Sequence, residues 1–291
     1  MDFGRLIVAM VTPFRSDLEV DFDKARQLAV RLEKQGVTAI VVSGTTGESP
    51  TLTREEKVEL IRILKSNIKI PVIANAGTND TKASIRNADD AKRAGADGLL
   101  LVAPYYNKPD QDMMYDHFAA IAGAVDLPVM LYNVPGRTVV NLHPDTVIRL
   151  SMDVPNISAL KDASGDLDAM TKIVNEAAPG FTVYTGEDSL TLPSLAVGAY
   201  GVVSVAGHVV AARMLEMMAA HLNGDFAGAA RHHGELRDIN RILFLQPNPV
   251  PVKKALALCG FDVGGLRPPL KVASEEVTLQ LGQALSVLGL A

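Results

Sequence analysis

At 291 residues, 48% of them apolar and only 5% aromatic, the chain is long enough for one large single-core domain plus an appendage. Charged residues make up 21% and the net charge of −5 is spread along the chain, so there is no basic stripe to hold a polyanion and the composition argues against nucleic-acid binding. The single cysteine, Cys259, rules out an intrachain disulfide and suits a reducing compartment.

The opening stretch MDFGRLIVAMVTPF is too short and too unlike a signal peptide to be one, because Pro13 and Phe14 follow a strand-like apolar run. No stretch of about 18 uninterrupted apolar residues suggests a membrane span, so the expectation is a soluble, cytoplasmic protein. From there, short apolar runs recur at Leu6–Val11, Ala39–Val42, Val72–Ala76, Leu99–Ala103, Val129–Val134, Ile157–Leu160, Thr182–Thr185 and Val202–Ala206. Continuous Val/Ile/Leu runs without alternation indicate strands buried on both faces, as in a parallel sheet. Most are separated by segments with helical signals. Asp23 to Gln35 stops at Gly36, Thr53 opens a capping box with Glu56, and Asp80 begins a segment ending at Gly95. The segments 111–125, 143–151 and 166–177 follow the same logic.

Eight strand–helix alternations in this span predict an α/β fold, a closed (β/α)8 barrel, over residues 1–224. An open doubly wound sheet would carry a Gly-rich first turn for a nucleotide, whereas the first turn here is Thr12-Pro13-Phe14. Helical stretches continue at 211–223, 225–245, 250–258 and 274–288, more than a barrel needs for closure, and predict a C-terminal helical domain over 225–291.

Active sites of such barrels lie at the C-terminal ends of the strands. That rule selects Ser43 to Glu48 after the second strand, Asn75, Tyr105-Tyr106-Asn107, Tyr132 to Arg137, Lys161-Asp162, Gly186-Glu187-Asp188, and Ser204 to His208. Lys161 is the odd residue among them. It continues the period-2 face of Ile157 and Ala159, and a lysine within a buried strand is costly unless paired or neutral. Taken alone it reads equally as a strand-end lysine that reaches solvent or pairs with Asp162, or as a desolvated amine nucleophile, a role for which a lysine pKa must fall roughly 2–3 units from about 10.4. Tyr132 reads as a packing tyrosine or as a proton relay. Thr45 and Thr46 form either a plain turn or a nest for a carboxylate, and Arg137 either a surface ion pair or a bidentate carboxylate clamp. What raises the functional readings is that all four fall at one end of the predicted barrel. Other candidates fail: the Gly44–Ser49 turn lacks a P-loop lysine, His232 and His233 are adjacent on a helix and cannot both face one metal, and the sequon at Asn156 would start a buried strand.

The stretches GTTGES at 44–49, PYYNKP at 104–109, YNVPGRT at 132–138, ALKDASG at 159–165, TGEDS at 185–189 and PNPVPVKKAL at 247–256 together resemble the 4-hydroxy-tetrahydrodipicolinate synthase (dihydrodipicolinate synthase) family of pyruvate-dependent class I aldolases, across essentially the whole chain. The resemblance implies that Lys161 forms an imine with pyruvate and that Thr46, Gly186 and the backbone at Val203 contact the substrate. It further implies that Tyr132, Thr45 and Tyr106 relay protons, with Tyr106 reaching in from a neighbouring subunit of a homotetramer built as a dimer of dimers. Arg137 would receive the carboxylate of aspartate 4-semialdehyde, in a lyase reaction of lysine and diaminopimelate synthesis that needs no metal or organic cofactor. N-acetylneuraminate lyase and the 2-keto-3-deoxy sugar-acid aldolases share the lysine and tyrosine, but the Thr45-Thr46 pair and Arg137 favour the synthase. A catalytically dead sensor of the same family would be expected to lack Lys161 or Tyr132. Relatives that lysine inhibits carry histidines and a glutamate in a regulatory cleft. Here those positions read Arg54, Lys57 and Ala83, while Ser49, Asn79 and Tyr105 remain, which predicts weak or absent inhibition.

Overall fold

The computed structural model describes residues 2–290. Eight parallel strands, β1 (Leu6–Ala9), β2 (Ala39–Val42), β3 (Val72–Asn75), β4 (Gly98–Val102), β5 (Val129–Asn133), β6 (Ile157–Asp162), β7 (Thr182–Thr185) and β8 (Gly201–Ser204), pair in sequence order, and β8 returns to β1 to close the barrel. Closure runs through Leu6–Val202, Ile7–Val203 and Val8–Ser204.

The alternation along each strand sorts the apolar runs into two layers. Ile7, Val41, Ile73, Leu100, Met130, Ala159, Tyr184 and Val203 fill the barrel interior. Leu6, Val8, Ile40, Val42, Leu99, Leu101, Leu131 and Val202 face outward to the helices. This is why no polar alternation is visible in the sequence: both faces are buried. The expected face of Lys161 needs one correction. Ile157 and Ala159 do not share an orientation, because Val129 pairs with Ile157 while the next residue, Met130, already pairs with Ala159. Ser158 is the extra residue of a β-bulge. Ile157 therefore lies in the outer layer and Ala159 in the interior, and Lys161 stands two residues above Ala159 on the inner face.

Helices follow the strands: α1 (Phe22–Lys34), α2 (Arg54–Asn67), α3 (Thr81–Ala94), α4 (Gln111–Gly123), α5 (Pro135–Thr138), α6 (Pro144–Asp153), α7 (Leu167–Glu176), α8 (Thr191–Ala196) and α9 (Gly207–Leu222). Local chemistry sets their ends. Asp21, Asp80 and Asp166 accept hydrogen bonds at the N-termini of α1, α3 and α7, Thr53 and Glu56 close a capping box on α2, and Gly95 ends α3 in the left-handed region. The short α5 and α8 have no counterpart in the sequence reading. Each is under two turns, and Pro135 and Pro193 within them mask any helical period. Helix α9 begins four residues earlier than its apolar period suggested, with a non-helical residue at Val210.

After α9, Asn223–Asp225 lead directly into α10 (Phe226–Ile242), followed by α11 (Val250–Leu258) and α12 (Glu275–Val287). Leu236, Ile239, Val252, Leu256, Val277, Leu281 and Leu285 from these three helices join the same apolar cluster as the barrel's outer layer. Among the described residues no helix is long and apolar enough to cross a membrane.

Candidate active site

The C-terminal ends of the strands surround a cavity of about 80 Å3 whose walls include Thr45, Thr46, Tyr132, Arg137, Lys161, Gly186, Glu187 and Asn248. Lys161 is in register between Tyr132 on β5 and Tyr184 on β7. It is only 7% exposed, and its Nζ lies 4.3 Å from the centre of the Tyr132 ring. The alternative in which Lys161 pairs with Asp162 is not what forms. The Asp162 carboxylate instead accepts from Asn133 Nδ2 at 3.0 Å and from Ser164 Oγ at 2.7 Å. Burial pushes the Asp162 carboxyl upward and those hydrogen bonds oppose it. Gly186 leaves the room the lysine needs: a Cβ there would meet Lys161 Cε at 2.9 Å and Ala163 Cβ at 2.8 Å.

Arg137 sits in α5, exposed at the cavity rim, and no carboxylate of the described residues pairs with it. The surface ion pair considered from sequence is therefore absent among the described residues. Beside it, Glu187 is half-buried. Burial and then Asp188 push its carboxyl upward, while the charges of Lys161 and Arg137 pull the other way. Asp188 turns away into the protein and fastens the end of β8, accepting from Ser204 Oγ, from Val205 N at 3.0 Å and from Ala206 N at 2.9 Å. Val203 is buried in the barrel interior just below this turn.

The Ser43–Ser49 turn is unusually constrained. Ser43 and Glu48 both take positive φ, 55° and 56°, which costs energy for residues other than glycine. Gly47 approaches so closely that a Cβ would lie 3.1 Å from Met10 O and from Ser43 N. Outside contacts offset the strain, those of Thr12, Asn248 and Lys253 among them. Thr12 Oγ1 donates to Gly47 O at 2.7 Å, and Asn248 Nδ2 donates to Thr46 Oγ1 at 2.8 Å. Lys253 of α11 pairs with Glu48 at 2.6 Å, with side chains 2% and 1% exposed. Lys253 also donates to Gly265 O at 2.7 Å, and Arg267 N donates to Glu48 Oε2 at 3.0 Å. Burial lowers the Lys253 ammonium from 10.5 to about 8, with Glu48 opposing. These contacts bring the 248–267 segment onto the site, a convergence of distant residues that local patterning does not reveal.

A second, wider cavity of about 480 Å3 opens beside the first and shares Thr45, Tyr132 and Arg137 with it. Ser49, Lys57, Asn75 and Tyr105 line its far side. Arg54 is held by Asp90, with Nη2 2.6 Å from Oδ1, so of the two cations read from sequence Lys57 is the one that faces this cavity. Burial lowers its pKa. Asn79 is not part of that wall, and its carbonyl accepts from Asn107 Nδ2 at 2.9 Å. Tyr106 lies outside both cavities, 88% exposed and with φ of 75°. Sequence reasoning named Lys161, Tyr132, Thr45, Thr46, Arg137 and Gly186, which this fold gathers at one mouth. It gave no role to Glu187 or Asn248; the latter lay unread within the PNPVPVKKAL motif.

Comparison with known proteins places this geometry among relatives. The model of the dihydrodipicolinate synthetase family matches residues 2–288. The 4-hydroxy-tetrahydrodipicolinate synthase of Bacillus subtilis (strain 168) is 51% identical over 290 residues, 99% of this chain and 100% of that one. The crystal structure of dihydrodipicolinate synthase DapA-2 from Bacillus anthracis superposes with a TM-score of 0.96 at 51% identity, covering 98% of each chain. That of the enzyme from Cyanidioschyzon merolae with lysine bound gives 0.97 at 45% identity, covering 99% of each.

Proposed function

The chain belongs to the dihydrodipicolinate synthetase family and is a lyase, and on that footing we propose that it condenses pyruvate with L-aspartate 4-semialdehyde to give 4-hydroxy-tetrahydrodipicolinate. The observation that carries this reading is the Lys161 amine, buried in the barrel mouth against Tyr132 with no carboxylate partner among the described residues, while an unpaired Arg137 waits at the rim of the same cavity.

The chemistry follows from those positions. The Lys161 amine adds to the C2 carbonyl of pyruvate, and loss of water gives the imine. Tyr132 and Thr45 carry the protons of that addition and elimination. The pyruvate carboxylate lies on the Thr46 hydroxyl and the backbone at Val203, with Gly186 leaving space over the lysine stem. Loss of a methyl proton gives the enamine, whose carbon attacks the aldehyde of the second substrate as Arg137 holds its carboxylate. The aldehyde oxygen takes up a proton and becomes the product's hydroxyl. The substrate's amine then displaces Lys161 from the imine carbon, closing the ring and freeing the lysine. We assign the pathway role to lysine and diaminopimelate synthesis and place it in the cytoplasm. We also assign an assembly in which Tyr106 completes a neighbour's site, as its exposure supports. Ser49, Asn79 and Tyr105 are the remnants of a regulatory cleft for lysine.

Borohydride reduction in the presence of pyruvate, followed by intact mass and peptide mapping, tests the mechanism. A pyruvate-sized adduct on Lys161 is expected, and its absence removes the imine. Assays of pyruvate with aspartate 4-semialdehyde against pyruvate with N-acetylmannosamine or glyceraldehyde test the acceptor; turnover of the sugar alone would point to an aldolase instead.

A further inference from the structure

Asn248 projects into the Lys161 cavity from the turn before α11, two hundred residues away in sequence from the turn it touches. It is 8% exposed, and its two side-chain atoms have different fates. Nδ2 donates to Thr46 Oγ1 at 2.8 Å, whereas Oδ1 is buried with no partner among the described residues. Leaving a buried amide oxygen unpaired costs free energy, roughly 1–3 kcal/mol, so an isolated Asn248 would not be retained for stability.

The direction of that hydrogen bond has a chemical consequence. A threonine hydroxyl has one proton and two acceptor positions. Because Asn248 occupies an acceptor position, the Thr46 proton is not spent on it, and among the described residues no acceptor takes that proton. Thr46 lines the Lys161 cavity, so that proton is available to a ligand there. The opposite arrangement, with an acceptor at position 248, would draw the proton away and turn a lone pair toward the ligand, which repels an anion.

We propose that Asn248 is a positioning residue that fixes Thr46 as a hydrogen-bond donor to the carboxylate of the 2-keto acid, so that the C-terminal segment sets the affinity of the barrel for its first substrate. This rests on the proposed imine chemistry only in naming that substrate. Two features hold Asn248 in place. Pro247 and Pro249 flank it, and a few residues on, Lys253 of α11 is anchored to Glu48 of the same Ser43–Ser49 turn. The amide and the hydroxyl it orients therefore ride on elements locked to each other.

A double-mutant cycle tests this, using pyruvate concentration dependence of borohydride trapping together with KM and kcat. Asn248→Ala and Thr46→Val are each expected to raise half-saturating pyruvate by about tenfold or more, the loss appropriate to one hydrogen bond to a charged group. For Asn248→Ala, kcat at saturating pyruvate should fall less than kcat/KM does, because the interaction lost is one of uniform binding. In the double variant the Asn248 substitution should add nothing beyond Thr46→Val, because its effect passes through that hydroxyl. Additive losses, or unchanged or tighter pyruvate binding in Asn248→Ala, overturn the proposal. Should the alanine variant fail to fold, Asn248→Asp keeps the shape and supplies an acceptor; its larger loss should shrink when Thr46 is already valine, and an undiminished loss overturns the proposal. If the parent protein itself forms no adduct, the imine reading fails and this proposal falls with it. Normal trapping by the parent with unaltered variants sinks the proposal alone.

Discussion

Among the described residues two lysines, Lys161 and Lys253, are almost fully buried, and their surroundings give them opposite characters. Lys253 meets Glu48 at 2.6 Å and Gly265 O at 2.7 Å, so two of its three ammonium protons are engaged. Lys161 has the face of a phenol at 4.3 Å and open cavity beyond. A charge held by partners is structural; an amine facing a cavity is available to react. Arg137 shows the same distinction at the rim, since an unpaired guanidinium is free to clamp a carboxylate in bidentate fashion. Arg137→Ala is expected to lower kcat/KM for condensation by about a hundredfold, the scale of one charge-assisted pair, while leaving pyruvate trapping on Lys161 nearly intact. Equal losses in both assays would place the arginine on the pyruvate instead. In the neighbouring cavity, Lys57 presents a cation and Arg54 is neutralised by Asp90. An incoming lysine ammonium meets like charge there. Initial rates should stay flat in a lysine titration, and inhibition in the micromolar to low-millimolar range would count against this reading.

Between elements, buried polar contacts decide how strand ends are aimed. Lys253 and Glu48 tie α11 to the turn after β2, and Arg267 adds Glu56 of α2 at 2.5 Å and Thr51 O at 2.7 Å. Removing one partner strands a buried charge. Lys253→Met should therefore cost about 3–5 kcal/mol in urea unfolding, whereas Lys253→Met with Glu48→Gln should recover most of that loss. A double variant as unstable as the single would mean the pair is not the source. His208 performs a related task where the barrel closes. Its Nδ1–H donates to Val205 O at 2.8 Å and its Nε2 accepts from Val11 N at 3.1 Å, so the ring joins the ends of β1 and β8 in its neutral form. Burial lowers its pKa from 6.5 to about 4. Between these values the unfolded chain binds a proton that the folded chain does not, so the contribution is complete above about pH 6.5 and is lost as pH falls toward 4. The difference amounts to about 3 kcal/mol. Urea unfolding from pH 7 to pH 4 should show this slope, and His208→Gln should flatten it.

For the whole molecule, the C-terminal helices are joined to the barrel by one apolar cluster, and the segment around α11 brings Asn248 to the Lys161 cavity and Lys253 and Arg267 to Glu48. The opposite flank is unfinished by comparison. Tyr105 and Tyr106 stand 40% and 88% exposed beside the wider cavity, a placement that suits a contact with a second copy. In an assembly where Tyr106 serves a neighbouring site, Tyr106→Phe should lower kcat by about a hundredfold or more, as loss of a proton relay does. Mixing it with an inactive Lys161→Ala variant should then restore activity through sites that combine an intact lysine with an intact tyrosine. No recovery on mixing, with subunit exchange verified by sedimentation, would remove the intersubunit role.

Much of this was legible in the amino-acid order. Buried parallel strands write themselves as unbroken Val/Ile/Leu runs, helix ends as Asp, Thr and Gly caps, and a lysine at the end of such a run is conspicuous because burying an amine is costly. Those signals are local, so they marked out the eight strands and the barrel, and the barrel rule then drew Lys161, Tyr132 and Arg137 to one mouth as candidates. What the sequence order did not hold was the face of Lys161, which turns on a bulge at Ser158 set by pairing with β5. Nor did it hold α5 and α8, too short to show a period, or the contacts of Asn248 with Thr46 and Lys253 with Glu48. These last join residues about two hundred positions apart. Only the closed barrel, with its C-terminal helices folded back over the mouth, brings them within hydrogen-bonding distance, and that closeness decides which buried lysine is a strut and which is free to react.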